Sequence, residues 1–130
     1  MRIRTLTELN EFLNKEFVWR RQELTTLKFA IAKARSHEKR VLLRMAICCL
    51  YAHWEGFIKA AATGHASFVA TCGLRYRDLS PNFVALGIRS KIMVAAQSNS
   101  ATMHTELTAY LLSDLSDHAN IDWERSITGS

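Results

Sequence analysis

Glu38-Lys39-Arg40-Val41-Leu42-Leu43-Arg44-Met45-Ala46-Ile47-Cys48-Cys49-Leu50-Tyr51-Ala52-His53-Trp54-Glu55-Gly56-Phe57-Ile58-Lys59 is the stretch on which the fold turns. From Val41 to Trp54 the apolar residues fall nearly all round a helix rather than along one stripe, the pattern of a central, most buried helix. The stretch predicts a helix from about Glu38 to Thr71, with Gly73 well placed as the left-handed residue that ends it. Within it Arg44, Cys48, Tyr51, Glu55 and Lys59 follow one another at spacings of three or four, so they share one side. A charge on a buried side needs a partner, because leaving it dry and unpaired costs several kcal/mol or shifts its ionisation. Two readings of Glu55 stand at this point. It pairs with a basic residue of another helix, Arg20 being the candidate, or it supports a functional cleft.

Upstream, Leu6, Leu9, Leu13, Phe17, Leu24, Leu27, Ile31 and Ala34 recur at helical spacing, which predicts a long helix over about Thr5 to Arg35, capped by Thr5 or Thr7. Arg20 falls in the gap of that stripe. Either its stem packs while the guanidinium reaches solvent, or the charge faces an internal polar site. Ser36 to Arg40 forms the polar break between the helices. Downstream, Ser80 and Pro81 make a helix start, and the third helix is expected to reach about Ala96, burying Phe83, Leu86, Ile88 or Ile92, and Ala95. A fourth is expected from about Thr102 to Ala119, with Leu107, Tyr110, Leu111 and Leu115 on one face. The tail from Ile121 to Ser130 closes no obvious element. No alternation of period two is long enough for a sheet, and no repeat or linker divides the chain. The expectation is one all-α domain over residues 1–130, a bundle of about four long helices.

The chain has 130 residues and a net charge of +5. Its basic surplus is local: residues 1–40 hold ten Lys and Arg against five Asp and Glu, whereas residues 41–130 hold seven of each. Arg20, Arg21, Lys28, Arg35, Lys39 and Arg40 are therefore candidates for contact with RNA phosphates. The alternative is a solvated face laced with ion pairs, since Glu8, Glu11, Glu16 and Glu23 are interleaved. The three cysteines have no framework spacing, and no apolar stretch follows the basic start, so a reducing, cytoplasmic setting is expected. The most apolar run, Val41 to Ala52, is interrupted by Arg44 and reads as too short for a bilayer, so no membrane partner is expected. The five histidines form no metal-ligand motif, and no cofactor motif is present, so neither a metal nor a cofactor is expected. His53 stands two positions from Glu55 on a different face and reads as a packed histidine beside Trp54.

Tyr51-Ala52-His53-Trp54-Glu55-Gly56-Phe57-Ile58-Lys59 and Leu79-Ser80-Pro81-Asn82-Phe83-Val84-Ala85-Leu86 together resemble the MAE-type HEPN family of bacterial proteins. Ile3-Arg4-Thr5-Leu6 and Leu111-Leu112-Ser113-Asp114-Leu115 also fit it, so the resemblance runs through the whole chain. It implies a HEPN helical bundle, commonly a homodimer or paired with another HEPN-type chain. It also implies a setting in toxin–antitoxin or antiphage systems, where many members are metal-independent endoribonucleases. Their site is usually written Arg-Asn-x-x-x-His, with the histidine in acid–base attack of a ribose 2′-OH and the arginine on the phosphorane charge. No arginine of this chain is followed by a histidine at that spacing; eight residues separate Arg44 from His53. No catalytic residue carries over, and whether the chain is an enzyme is left open. The chain is expected to be the first part of a longer HEPN pattern, shortened, split or a fragment. Glu55, Arg44, Arg20 and Tyr51 remain as candidates for a shared polar cleft. Three functions compete: a module that dimerises or binds a partner or RNA, part of a ribonuclease whose Arg…His motif comes from elsewhere, and, behind these, a plain RNA-binding or structural bundle.

Overall fold

Thr5 stands in extended backbone and its hydroxyl accepts the Glu8 N–H at 3.1 Å, which starts helix α1 over Leu6–Lys33. The computed structural model describes residues 2–113 and 117–121. Helix α2 follows over Ser36–Thr71, after a break of two residues. Gly73, at φ 63°, then takes the left-handed conformation that ends the helical path, as the sequence predicted. A 3-10 turn over Tyr76–Asp78 leads to α3, Pro81–Ala96, and α4, Ala101–Ser113. The protein is all-α, and the only extended pairing among the described residues is an isolated antiparallel bridge between Arg75 and His118.

The fourth helix is shorter than expected. Its described part ends at Ser113, and by His118 the chain is bridged to Arg75 instead. Leu115 and residues 122–130 lie outside the described residues.

The chain divides into two compact units, one of residues 5–64, the other of residues 1–4 with 65–130. The second holds most of the buried side chains. Ser67, 1% exposed, accepts the Ile3 N–H at 3.1 Å, and the Thr71 hydroxyl donates to the Ile3 carbonyl at 2.8 Å. The short N-terminal strand of chain is thus tied to the last turns of α2. Tyr76 lies buried with its ring edge-on to Tyr110, and its hydroxyl oxygen accepts the Asn120 N–H at 3.1 Å. Lys91 sits 4.2 Å above the Tyr110 ring, and His104 bonds the Ala95 carbonyl at 2.8 Å. Ile88 and Ala95 are the buried residues of α3, whereas Ile92 is exposed and Phe83 and Leu86 are half-buried. Ser80 makes no side-chain cap; its hydroxyl donates to Asn82 Oδ1 at 2.5 Å, so Pro81 alone carries the start of α3.

In the first unit α1 and the first part of α2 run antiparallel as a hairpin. Phe17 meets Phe57 edge-on at 6.0 Å, and Trp19 meets His53 at 5.4 Å. Leu42, Ala46, Cys49, His53, Phe57 and Ala60 form the half-buried side of α2, recurring at three and four. The rest of this helix departs from expectation. Ile47 is 70% exposed, Tyr51 64% and Trp54 62%, and Val41, Leu43, Met45, Leu50 and Ile58 are exposed as well. The all-round apolar pattern therefore does not mark a buried helix of this chain. One neighbour, α1, covers one side, and no other described segment of this unit exists to cover the rest. The helix also carries apolar residues past Ala52, through Trp54, Phe57 and Ile58. An 18-residue window of it reaches a mean hydropathy of 1.3, long and apolar enough to cross a membrane by length and composition.

Candidate functional site: a cation-lined groove in the α1–α2 hairpin

Arg20 projects from the middle of α1 toward α2, where a glycine makes room for it. A β-carbon on Gly56 would stand 3.1 Å from Arg20 Nη2. The guanidinium lies 4.3 Å above the Trp19 ring and 6.0 Å from that of Phe57. It donates to the Glu16 carboxylate at 2.5 Å and to the Glu16 carbonyl at 2.7 Å, while its buried Nε–H has no acceptor. The Arg20 side chain is 11% exposed and that of Glu16 23%. Of the two readings open for Arg20 the internal one holds, because Trp19 and Phe57 stack against the cation and Glu16, one turn back, neutralises it. Arg20 is consequently withdrawn from the set of surface phosphate contacts.

His53 completes the group. Its Nε2 lies 3.0 Å from a Glu23 carboxylate oxygen, and its side chain is 11% exposed against the Trp19 ring. It is packed against Trp19 and paired with a carboxylate on α1 that the sequence reading did not assign to it. The signal was present: Glu23 stands one turn beyond Trp19 on α1, so both reach one residue of an antiparallel α2.

Around Arg20 and His53 opens a groove of about 380 Å³ with apolar walls from Phe17, Leu24, Leu50, Trp54 and Phe57. Arg21, Lys28 and Thr25 also line it. Of the residues expected to meet RNA phosphates, Arg21 and Lys28 thus stand together at this groove, exposed. Arg35, Lys39 and Arg40 are exposed at the turn between the helices, where Arg40 shares a second hollow with Ser36, His37, Val41 and Arg44.

The expected polar cleft of Glu55, Arg44, Arg20 and Tyr51 does not form. Arg20 faces α2 from α1, whereas Arg44, Tyr51 and Glu55 lie on the side of α2 turned away from α1. Glu55 does not pair with Arg20. It pairs with Lys59 in its own helix, Nζ to carboxylate 2.7 Å, and that contact raises the Lys59 pKa above its ordinary value. Arg44 is exposed and has no ion-pair partner among the described residues. The sequence placed Arg44, Tyr51 and Glu55 on one side correctly; what it lacked was the direction of that side.

No three His, Cys, Asp or Glu side chains among the described residues converge in a way that could hold a metal ion. Cys48, Cys49 and Cys72 are free thiols. The chemistry within reach of the groove is that of a cationic guanidinium, a carboxylate-paired imidazole and two exposed cations beside apolar and aromatic walls.

Comparison with known families decides the relationship. The family model described as HEPN_MAE_28990-like HEPN matches residues 9–127. The chain belongs to this HEPN family. The match takes in the whole of the groove and all of the hairpin except the first three residues of α1, together with α3, α4 and the Tyr76 contacts. No curated protein and no solved structure matches the chain.

Proposed function

We propose that this HEPN chain is a binding module that joins a second polypeptide through the open side of α2, in a bacterial toxin–antitoxin or antiphage-type system, with no nuclease activity of its own. The observation that carries this reading is the run of large apolar side chains left exposed along α2, with Ile47, Tyr51 and Trp54 all above 60%. Leaving such area in water forgoes about 25 cal/mol for each Å² that a partner would cover. Contiguous apolar patches of this kind on a helix mark association surfaces. The lack of an Arg-Asn-x-x-x-His stretch supports binding rather than cleavage as the task. Three free thiols suit a cytoplasmic setting. The test is the mass of the purified chain in solution by light scattering, alone and with polypeptides encoded beside it, together with an RNA cleavage assay. Association without cleavage is expected. A chain monomeric under every condition, or cleavage of RNA that one substitution in this chain abolishes, would overturn the reading.

A second reading rests on the groove. Arg21 and Lys28 beside the Arg20–Glu16 and His53–Glu23 pairs suit a contact with RNA phosphates, over walls on which a base could stack. On that reading the chain is part of a metal-independent endoribonuclease and its partner supplies the Arg…His motif. RNA affinity that falls as salt rises, and falls further for Lys28→Glu, is its expected signature; affinity indifferent to salt refutes it.

A further inference from the structure

Two series of residues at heptad spacing border the hairpin groove, one on each helix, and both are left largely open. The side of α2 that meets α1 runs Leu42, Ala46, Cys49, His53, Gly56 and Ala60, in alternating steps of four and three. One residue on, Leu43, Ile47, Leu50, Trp54, Phe57 and Ala61 repeat the same steps, and the first four of these are exposed. A helix with two adjacent series of this kind is suited to two neighbours, one along each. On α1 the series beside the groove is Phe17, Arg21, Leu24, Lys28, Ile31 and Arg35, the last just past the helix end. Apolar and basic residues alternate along it, so a cation recurs at every seventh residue. Phe17, Arg21, Leu24, Leu50, Trp54 and Phe57 line the groove around Arg20. A second hollow shares Leu24, Lys28 and Leu50 with it and extends it past Ile31 and Leu43. The trough so formed follows α1 from Phe17 to Ile31, about 21 Å at the helical rise per residue.

We infer that this trough seats one α-helix of a different polypeptide, amphipathic over about two heptads, with an acidic residue at every seventh position to meet Arg21 and Lys28. The inference rests on the partner-binding reading above and adds the form and charge of the partner. Three observations favour this occupant. The trough is long, straight and lined on both walls at heptad spacing, so a third helix would complete a three-helix coiled coil. Arg21 and Lys28 are exposed and neither makes an ion pair among the described residues, so they set the sign of what docks. Another copy of the hairpin supplies that sign poorly. Within residues 5–64 the only acids seven residues apart are Glu16 and Glu23, and these are held by Arg20 and His53 on the other edge of the α1–α2 contact. RNA finds cations on the α1 wall alone, whereas the α2 wall from Leu43 to Phe57 offers a helix apolar contacts throughout.

The experiment uses the full chain and a fluorescein-labelled synthetic peptide of about three heptads, apolar at its inward positions and with glutamate at every seventh residue. A twin peptide carries lysine in place of each glutamate. By fluorescence anisotropy the glutamate peptide should bind at least about tenfold tighter than its twin, and the double variant Arg21→Glu, Lys28→Glu should invert that order. Both substituted positions are exposed, and circular dichroism checks that the double variant keeps its helices. The emission of the chain's tryptophans should shift to the blue on binding, and Trp54→Phe should remove the shift. Equal binding of the two peptides, no binding of the glutamate peptide, or a shift that survives Trp54→Phe overturns the inference. Light scattering with the polypeptides encoded beside the chain separates this failure from that of the broader reading. Association that the double variant leaves untouched overturns the helix in the trough and keeps partner binding, whereas no association under any condition overturns both. Binding of a single-stranded RNA oligonucleotide that displaces the glutamate peptide and is lost in the double variant overturns the inference and gives the trough to RNA. Self-association lost in the double variant overturns it in favour of a second copy.

Discussion

Removing the Glu16 carboxylate should cost more than removing the arginine it neutralises. In Glu16→Ala the Arg20 guanidinium keeps the Glu16 carbonyl and the Trp19 ring, but its counter-ion is gone and its Nε–H is already without an acceptor. Breaking a fully buried pair in this way costs about 3–5 kcal/mol, and an exposed pair is worth about 0–1. With Arg20 11% exposed and Glu16 23%, the loss belongs between these, at about 2 kcal/mol. Arg20→Met removes the charge and keeps a flexible apolar stem against Trp19 and Phe57, while the freed Glu16 carboxylate reaches water. Its cost should be about 1 kcal/mol or less. The double variant should resemble Arg20→Met alone, giving a coupling of about 1–2 kcal/mol in a double-mutant cycle. Urea unfolding followed by far-ultraviolet circular dichroism, with tryptophan fluorescence to report on Trp19, measures all three. The Glu16→Ala loss should also persist in high salt, because the pair is shielded from the ionic atmosphere. A Glu16→Ala cost below that of Arg20→Met, or one that vanishes in salt, would refute the burial argument.

In the other unit, Gly87→Ala should destabilise the fold by about 1–2 kcal/mol, because the new methyl would stand 2.5 Å from the buried Tyr76 ring. In a Tyr76→Ala background the same substitution should instead stabilise, by up to about 1 kcal/mol of helix propensity, and chemical denaturation reads the change of sign. Thr5→Ala removes the cap of α1 and should lower stability by about 1 kcal/mol, with Thr5→Asn largely restoring it. Ser67→Ala should leave the buried Ile3 N–H without its hydroxyl acceptor and cost about 1–3 kcal/mol, with faster amide exchange at Ile3 by NMR.

The helix pattern was legible because caps, breaks and periodicity are local. Thr5, the polar break around Ser36, Gly73 and Pro81 each act within a turn or two of the chain, and the structure sets its helix ends beside them. The end of α4 was not legible, because the main chain around His118 bonds that of Leu74, Arg75 and Tyr76, more than forty residues earlier, and no local pattern announces such a partner. The pairing of His53 with Glu23 lay within reach of an antiparallel hairpin argument. The inward turn of Arg20 did not, since it depends on the space that Gly56 leaves on the facing helix.

By itself the sequence determined that the chain is helical, that Arg44, Tyr51 and Glu55 share one side of α2, and that the family is HEPN. The first two follow from spacing along each helix, and the third from the resemblance carried by the quoted motifs and the family match. Only the tertiary structure decided which side of α2 meets α1. An apolar pattern all round a helix states that every side is suited to burial, but burial is completed by whatever element is near. For residues 38–59 that element is α1 on one side alone, so the stretch that reads as the heart of a bundle carries an uncovered apolar face and the groove around Arg20.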